Sequence, residues 1–225
     1  MLKVKDPVSG GTHALGAVAS IVGLVFLIIW AARFGEGAWD VVSFTIFGVG
    51  LLLLYTFSAL YHLLNLKEKG TTIMRKFDHI MIYVLIAATY TPIALGPLRV
   101  MGGWGWTIFG VIWGLAVIGI LLTALWIKAP RWLTTSIYIA MGWVVIVAAL
   151  PMAEMFTIAT TVNGLHAFLW LLVGGIFYTI GGVIYGLKWP KIQNKYVGFH
   201  EIFHIFVMLG SLCHYWFIIR YILNM

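Results

Sequence analysis

The residues best suited to chemistry lie near the end of the chain, where positions 199–216 read FHEIFHIFVMLGSLCHYW. His200, Glu201 and His204 form the pattern H-E-x-x-H, which in metalloproteases supplies two zinc ligands and a general base on one helix. Two histidines four residues apart lie on the same helix face, about 6 Å apart along the axis. The neighbouring Phe, Ile, Val, Met and Leu residues indicate a helix surrounded by lipid rather than by water.

The protease interpretation has little further support in the sequence. The residues after His204 do not match the extended pattern H-E-x-x-H-x-x-G-x-x-H. The chain also has no Asp-Gly pair that would supply the aspartate of an intramembrane metalloprotease. We therefore interpret Glu201 as an interfacial residue at the start of its helix, and we keep the two histidines as candidate metal ligands.

Composition limits the chain to the membrane class. Of its 225 residues, 62% are hydrophobic and 9% are charged, whereas a soluble domain has about 25% charged residues. The single cysteine, Cys213, excludes an internal disulfide and a Cys-rich zinc cluster. The net charge of +7 comes from short basic clusters between apolar runs, which indicates membrane topology and no nucleic-acid partner.

Seven apolar stretches are each long enough to cross about 30 Å of hydrocarbon. They are connected by short segments that contain Pro, Gly, Lys and Arg, and no separate soluble domain is expected. The sequence thus predicts an all-α integral membrane protein with one seven-helix domain over residues 1–225 and spans near 13–33, 39–65, 77–96, 103–127, 132–151, 163–187 and 198–223.

The basic residues also predict the orientation of the spans. Most of them fall on the N-terminal side and in the even-numbered loops: Lys3, Lys5, Lys67, Lys69, Arg75, Lys76, Lys128, Arg131, Lys188, Lys191 and Lys195. Only Arg33, Arg99 and Arg220 fall on the other side. Because positive residues concentrate in cytoplasmic loops, we expect a multi-pass protein of the plasma membrane with a cytoplasmic N-terminus and an external C-terminus.

Polar residues from three predicted helices fall at one depth near the cytoplasmic face. Helix 2 ends in FSALYHLLN, with Ser58 and His62, and helix 3 begins in KFDHIMIY, with Asp78. Helix 7 begins there too, with His200 and His204. Ionisable groups within spans are functional candidates by default. Three imidazoles at one depth predict a Zn²⁺ site with room for a water. Asp78 would orient this water or take its proton, and the Ser58 hydroxyl would reach the water or a substrate carbonyl.

Other roles stay open for each of these residues. The three histidines could be hydrogen-bonded structural residues, Ser58 could bond a helix carbonyl, and Asp78 could cap the start of helix 3. We interpret His13 as a packing or interfacial residue, with a place in the lining of the cavity as the alternative. Three histidines are excluded as ligands by depth or direction: His79, His166 and His214.

Taken together, the motifs resemble those of the hemolysin III family, bacterial members of the progestin and adipoQ receptor superfamily. The family pattern S-x-x-x-H is matched by Ser58 and His62, its helix 3 aspartate by Asp78, and its H-x-x-x-H by His200 and His204. The resemblance covers nearly the whole chain. It implies an intramembrane zinc held by the three histidines, with Asp78 and Ser58 near the metal-bound water.

The resemblance also suggests a substrate class, namely membrane lipids with an amide or ester bond. Eukaryotic relatives include the adiponectin receptors, which are associated with ceramidase activity, and bacterial members are linked to membrane lipid homeostasis. We therefore expect zinc-dependent hydrolysis of a lipid amide. The alternatives are a receptor-like or homeostasis protein with a structural zinc, and a cytolysin that permeabilises host membranes.

Overall fold

The computed structural model of the protein describes residues 4–126, 129–148, 151–154, 161–192, 194 and 197–224. Helices account for nearly all of them, and these described residues contain no β-strand. The long helices are α1 Pro7–Phe34, α2 Ala38–Leu63, α3 Glu68–Leu95, α4 Trp104–Leu125, α5 Arg131–Gly142, α6 Thr161–Leu187 and α7 Phe199–Tyr221. Short 3₁₀ helices cover Pro97–Val100, Trp143–Ala148 and Ile222–Asn224.

The described residues contain seven helical segments long and apolar enough to cross a membrane, which confirms the predicted seven-span, all-α membrane fold. In the fifth segment, the α-helix ends at Gly142 and a 3₁₀ helix continues to Ala148. Large apolar side chains such as Leu15, Val22 and Ile118 are exposed on the outside of the bundle, where only lipid can cover them.

The irregular end of α5 has a specific cause in a side chain of α3. The Tyr90 hydroxyl donates a hydrogen bond to the Gly142 carbonyl oxygen and accepts one from the Val145 backbone N–H at 2.9 Å. Both backbone groups thus find a partner outside the α-helical ladder, so the tighter 3₁₀ turn leaves neither unsatisfied. Hydropathy predicts the span but not this change of helix type.

Two helices begin earlier than the sequence predicts. Helix α1 starts at Pro7 instead of position 13, and α3 starts at Glu68 instead of position 77. The added turns are polar, so hydropathy assigns them to loops although they continue the helix into the headgroup region. Asp78 therefore lies in the third turn of α3, and the alternative that it caps this helix is wrong.

The bundle closes around α3. Helices adjacent in sequence pack together along α1–α4 and along α5–α7, and α3 also contacts α5 and α7, while α1 contacts α7. Gly119 of α4 has no side chain where the Tyr83 ring of α3 packs, which permits close helix approach. The Tyr55 and Tyr178 hydroxyls both bond Ser211 Oγ, at 2.7 and 2.8 Å, and so connect α2 and α6 to α7.

One end of the bundle collects the chemically active segments. Helix α1 begins there and α2 ends there, since the Asp6 backbone N–H donates to the His62 carbonyl at 2.9 Å. Helix α3 begins beside the end of α4, where Lys76 Nζ donates to the Ala124 carbonyl at 2.7 Å. The cytoplasmic location of this end stays a prediction; Lys3, Lys128 and Lys195, which contribute to it, lie outside the described residues.

Candidate metal centre

Three histidines meet at this end of the bundle. His62 lies in the last turn of α2, and His200 and His204 lie in the first two turns of α7. One ring nitrogen of each lies within 4.8 Å of those of the other two. His62 and His204 are buried and His200 is half-buried. The structure thus brings together the three imidazoles that the sequence analysis selected by depth.

The spacing of the rings fits a bound metal ion. His62 Nε2 and His200 Nε2 are 3.1 Å apart, and two nitrogens on a tetrahedral zinc would lie about 3.3 Å apart. Within the described structure, the buried Nδ1 of His204 has no hydrogen-bond partner. Imidazole nitrogens suit several divalent transition metals, so the donor set can hold such an ion.

Asp6 supports one of these rings, a role that the sequence analysis missed. Its carboxylate Oδ2 lies 3.2 Å from His62 Nδ1, and Lys5 Nζ is 3.6 Å from the same oxygen. A carboxylate on the outer nitrogen fixes the tautomer and the orientation of a metal-ligating histidine. With Nδ1–H directed to Asp6, the lone pair of His62 Nε2 points toward His200. The available sequence signal was an acid immediately before a span.

Both carboxylate oxygens of Glu201 accept structural hydrogen bonds, which does not suit a general base. Its Oε1 accepts a hydrogen bond from Ser9 Oγ at 2.5 Å, and its Oε2 accepts one from the Gly198 backbone N–H at 2.8 Å. These contacts cap the start of α7 and connect it to α1. The residue lies at the helix start, half-buried. The protease interpretation of H-E-x-x-H therefore gains no support from the position of its glutamate.

His13 is buried within the bundle, which fits the packing interpretation and not the interfacial one, and it also lines an internal cavity, the other role that the sequence leaves open. Its ring stacks on that of His204, with centroids 3.7 Å apart and planes at 10°. Both of its nitrogens are buried without a hydrogen-bond partner among the described groups. A buried polar atom without a partner costs free energy. The two nitrogens of His13 are therefore candidate ligand atoms for a metal ion or a bound molecule.

Ser58 and Asp78 lie beside the cluster. Ser58 Oγ is buried and bonds no group in the described structure, so the alternative that it satisfies a helix carbonyl is wrong. Asp78 is half-buried, and its Oδ2 lies 3.6 Å from His79 Nδ1. Both residues line a cavity of about 420 Å³ that His200 and His204 also line. The two predicted catalytic side chains thus border the same cavity as two candidate ligands.

This first cavity is mainly apolar, and we call it the apolar cavity. It extends from the histidines along α3 toward the opposite end of the bundle, past Leu85, Ile93 and Phe168. A second, more polar cavity of about 380 Å³ lies on the other side of the cluster; we call it the polar cavity. Four residues line both cavities: Asp78, His79, Tyr185 and His200.

The histidines that the sequence analysis excluded lie outside the cluster. His214 Nε2 bonds the Leu171 carbonyl at 3.1 Å. His79 bonds the Arg75 carbonyl through Nδ1 at 2.8 Å and the Tyr185 hydroxyl through Nε2 at 3.2 Å. Neither these two residues nor His166 belongs to the three-histidine group among the described residues.

Comparisons with known proteins give a consistent result. The profile of a family described as "Haemolysin-III related" matches residues 1–215. The chain is 41% identical to a "Hemolysin-3 homolog" of Bacillus subtilis (strain 168) over 222 residues, 98% of this chain and 96% of the relative. It is 39% identical to "Hemolysin-3" of Bacillus cereus over 221 residues, 98% and 93%. It is 27% identical to the human "Monocyte to macrophage differentiation factor" over 219 residues, 94% and 82%.

Proposed function

Because the chain belongs to the haemolysin III-related family, a group of multi-pass plasma-membrane proteins, we propose that it is a zinc-dependent hydrolase of lipid amides or esters. The observation that carries the proposal is the three-histidine cluster at one end of an apolar cavity. Ser58 and Asp78 border this cavity beside the cluster. A lipid hydrolase needs a metal site, polar side chains beside it and an apolar cavity for an acyl chain, and this arrangement would supply all three.

The ion that we propose for this donor set is zinc. His62, His200 and His204 would hold it, and three histidines are a common catalytic zinc set. When bound, zinc activates a water molecule near neutral pH and polarises a carbonyl group. The carboxylate of Asp6 would keep the His62 ring oriented for binding.

The side chains of the chain would perform the remaining tasks. Asp78 would accept the proton of the attacking water, because its carboxylate borders both cavities next to His200. The Ser58 hydroxyl would donate a hydrogen bond to the scissile carbonyl, since its oxygen has no partner among the described residues. The apolar cavity would hold the acyl chain and keep bulk water from the scissile bond.

A second candidate function is a receptor-like or lipid homeostasis protein with a structural zinc. The stacking of His13 on His204 favours it, because a fourth imidazole close to the cluster would close the coordination sphere after a small shift. We do not propose a cytolysin, since the seven spans are those of a resident membrane protein.

The test compares lipid hydrolysis by the wild type and by Asp78→Asn, purified in nanodiscs and supplied with a panel of acyl amides and esters. We expect Asp78→Asn to retain its zinc and to lose turnover by about a hundredfold or more, as for loss of a general base. His166→Ala, an exposed histidine outside the cluster, serves as the control. Wild-type turnover in Asp78→Asn would contradict the assigned base, and zinc without any turnover in the wild type would favour the structural role.

A further inference from the structure

The polar cavity differs from the apolar cavity in its charged lining. Lys5, Arg75 and Arg131 supply positive charge, whereas Asp6 and Asp78 supply negative charge. These residues come from the segment before α1, from the first three turns of α3 and from the first turn of α5, all at the end of the bundle that holds the histidines. Basic groups therefore outnumber acidic groups before any metal ion is considered.

The acidic groups of the polar cavity already have partners. Asp6 Oδ2 contacts His62 Nδ1 at 3.2 Å and Lys5 Nζ at 3.6 Å, and Asp78 Oδ2 lies 3.6 Å from His79 Nδ1. Arg131 is held differently, since its guanidinium carbon lies 5.0 Å from the ring centre of Tyr185 and 5.8 Å from that of Phe199. A guanidinium that packs on aromatic faces keeps its edge N–H groups for an oxyanion.

The position of the polar cavity relates this charge to the histidine cluster. His62 lines the polar cavity, and His200 and Tyr185 line both cavities. A molecule that occupies both must pass directly by the cluster, with an apolar part on one side and a polar part on the other. Such a molecule is an amphiphile whose reactive bond joins its acyl chain to its headgroup.

From the sign of the lining we infer that the polar cavity binds an oxyanion, a carboxylate or a phosphate, on the headgroup of the lipid whose acyl chain occupies the apolar cavity. The substrate class is then an acyl amide or ester with an anionic headgroup. The reactive bond in this inference rests on the proposed hydrolase function; the recognition of the oxyanion rests on Arg131, to which Lys5 adds positive charge although it also contacts Asp6 and the Tyr61 ring.

The test uses two soluble amphiphiles that differ only in headgroup charge, N-dodecanoylglycine and the uncharged N-dodecanoylethanolamine. Their dissociation constants are measured by titration calorimetry on the full chain in nanodiscs of zwitterionic lipid. We expect the anionic amide to bind about tenfold more tightly, as for a charge-assisted hydrogen bond. Arg131→Gln and Lys5→Gln should each reduce this preference, and Lys69→Gln, exposed at the same end but outside both cavities, should retain it.

Competition with inorganic phosphate identifies what the cavity recognises. If the polar cavity binds the oxyanion independently of the acyl chain, phosphate should displace N-dodecanoylglycine and leave N-dodecanoylethanolamine bound. Equal binding of the two amides, or a preference unchanged in both Arg131→Gln and Lys5→Gln, would overturn the inference. If Arg131→Gln fails to fold, Lys5→Gln provides the same information.

Binding and turnover separate this inference from the proposed function. Selective binding of the anionic amide without its hydrolysis would support the oxyanion cavity and contradict the hydrolase. Hydrolysis of both amides with equal affinity would support the hydrolase and contradict the oxyanion cavity.

Discussion

Around the three clustered histidines, Asp6 and His13 make the contacts that orient or flank the rings. Asp6 fixes one nitrogen of His62, and His13 covers one face of His204. The sequence analysis could select the three candidate ligands because their helical spacing and their depth in the predicted spans follow from residue positions alone. It did not predict the contacts of Asp6 with His62 and of His13 with His204, because both contacts cross between helices and depend on how the helices pack.

Replacement of Asp6 by asparagine should weaken zinc binding while leaving the fold intact. Asparagine can still accept a hydrogen bond from His62 Nδ1–H, but it lacks the charge that makes the ring a stronger ligand. We expect the zinc affinity, measured by competition with a chelator, to fall by about tenfold to a hundredfold, and Asp6→Glu to recover part of it.

Asp40→Asn is the matched control for this prediction, because Asp40 lies at the opposite end of the bundle, where its carboxylate accepts a hydrogen bond from the Glu36 backbone N–H. An unchanged zinc affinity in Asp6→Asn would show that the carboxylate does not act through His62.

Replacement of His13 by phenylalanine should raise stability and leave the zinc content unchanged. Phenylalanine keeps the stacking on His204 but removes two buried nitrogens that lack partners, each of which costs about 1–3 kcal/mol. We expect a higher midpoint of thermal unfolding and unchanged zinc content. Loss of zinc together with a lower midpoint would instead identify His13 as a fourth ligand.

At the scale of elements, the first two turns of α1 form part of the candidate site. Positions 6, 9 and 13 are spaced by three and four residues, so they share one side of this helix and its lead-in. Asp6 contacts His62, Ser9 contacts Glu201, and His13 contacts His204. Hydropathy starts the span only at position 13, and for this reason the sequence analysis overlooked the polar start of α1.

Ser9→Ala tests whether this side of α1 holds α7 in place. The variant leaves Glu201 Oε1 without its partner, while the Gly198 N–H still bonds Oε2. Loss of a hydrogen bond to a charged group costs about 1.5–3 kcal/mol. We therefore expect a lower midpoint of thermal unfolding and a weaker zinc affinity. Ser20→Ala, which removes only a bond to a carbonyl of its own helix, should change the midpoint less, and equal effects would contradict a specific α1–α7 contact.

At the scale of the whole molecule, the sequence predicts the seven-span fold but not the cavities inside it. Seven apolar runs predict seven spans, which the structure confirms. The two cavities are not predictable in this way, because they depend on side chains from several helices that hydropathy treats alike. Tyr185 illustrates this point: it is one aromatic residue of an apolar helix in sequence, yet it separates the apolar cavity from the polar cavity in space.

The membrane orientation is a prediction at this scale. Single cysteines are introduced into a Cys213→Ala background at Lys69 and Lys191, on the predicted cytoplasmic side, and at Glu36, on the other. We expect a membrane-impermeant maleimide to label Glu36→Cys in intact cells and the other two only after permeabilisation, because basic loops stay in the cytoplasm. The reverse pattern would place the histidine cluster at the outer face.

The zinc content of the purified protein tests the central claim most directly. Protein is purified without added metal, and elemental analysis compares the wild type, the His62→Ala, His200→Ala double variant and the His166→Ala control. We predict about one zinc per chain in the wild type and the control, as expected for a three-histidine site, and little in the double variant. No zinc in the wild type, or equal zinc in all three proteins, would contradict a metal centre at these histidines.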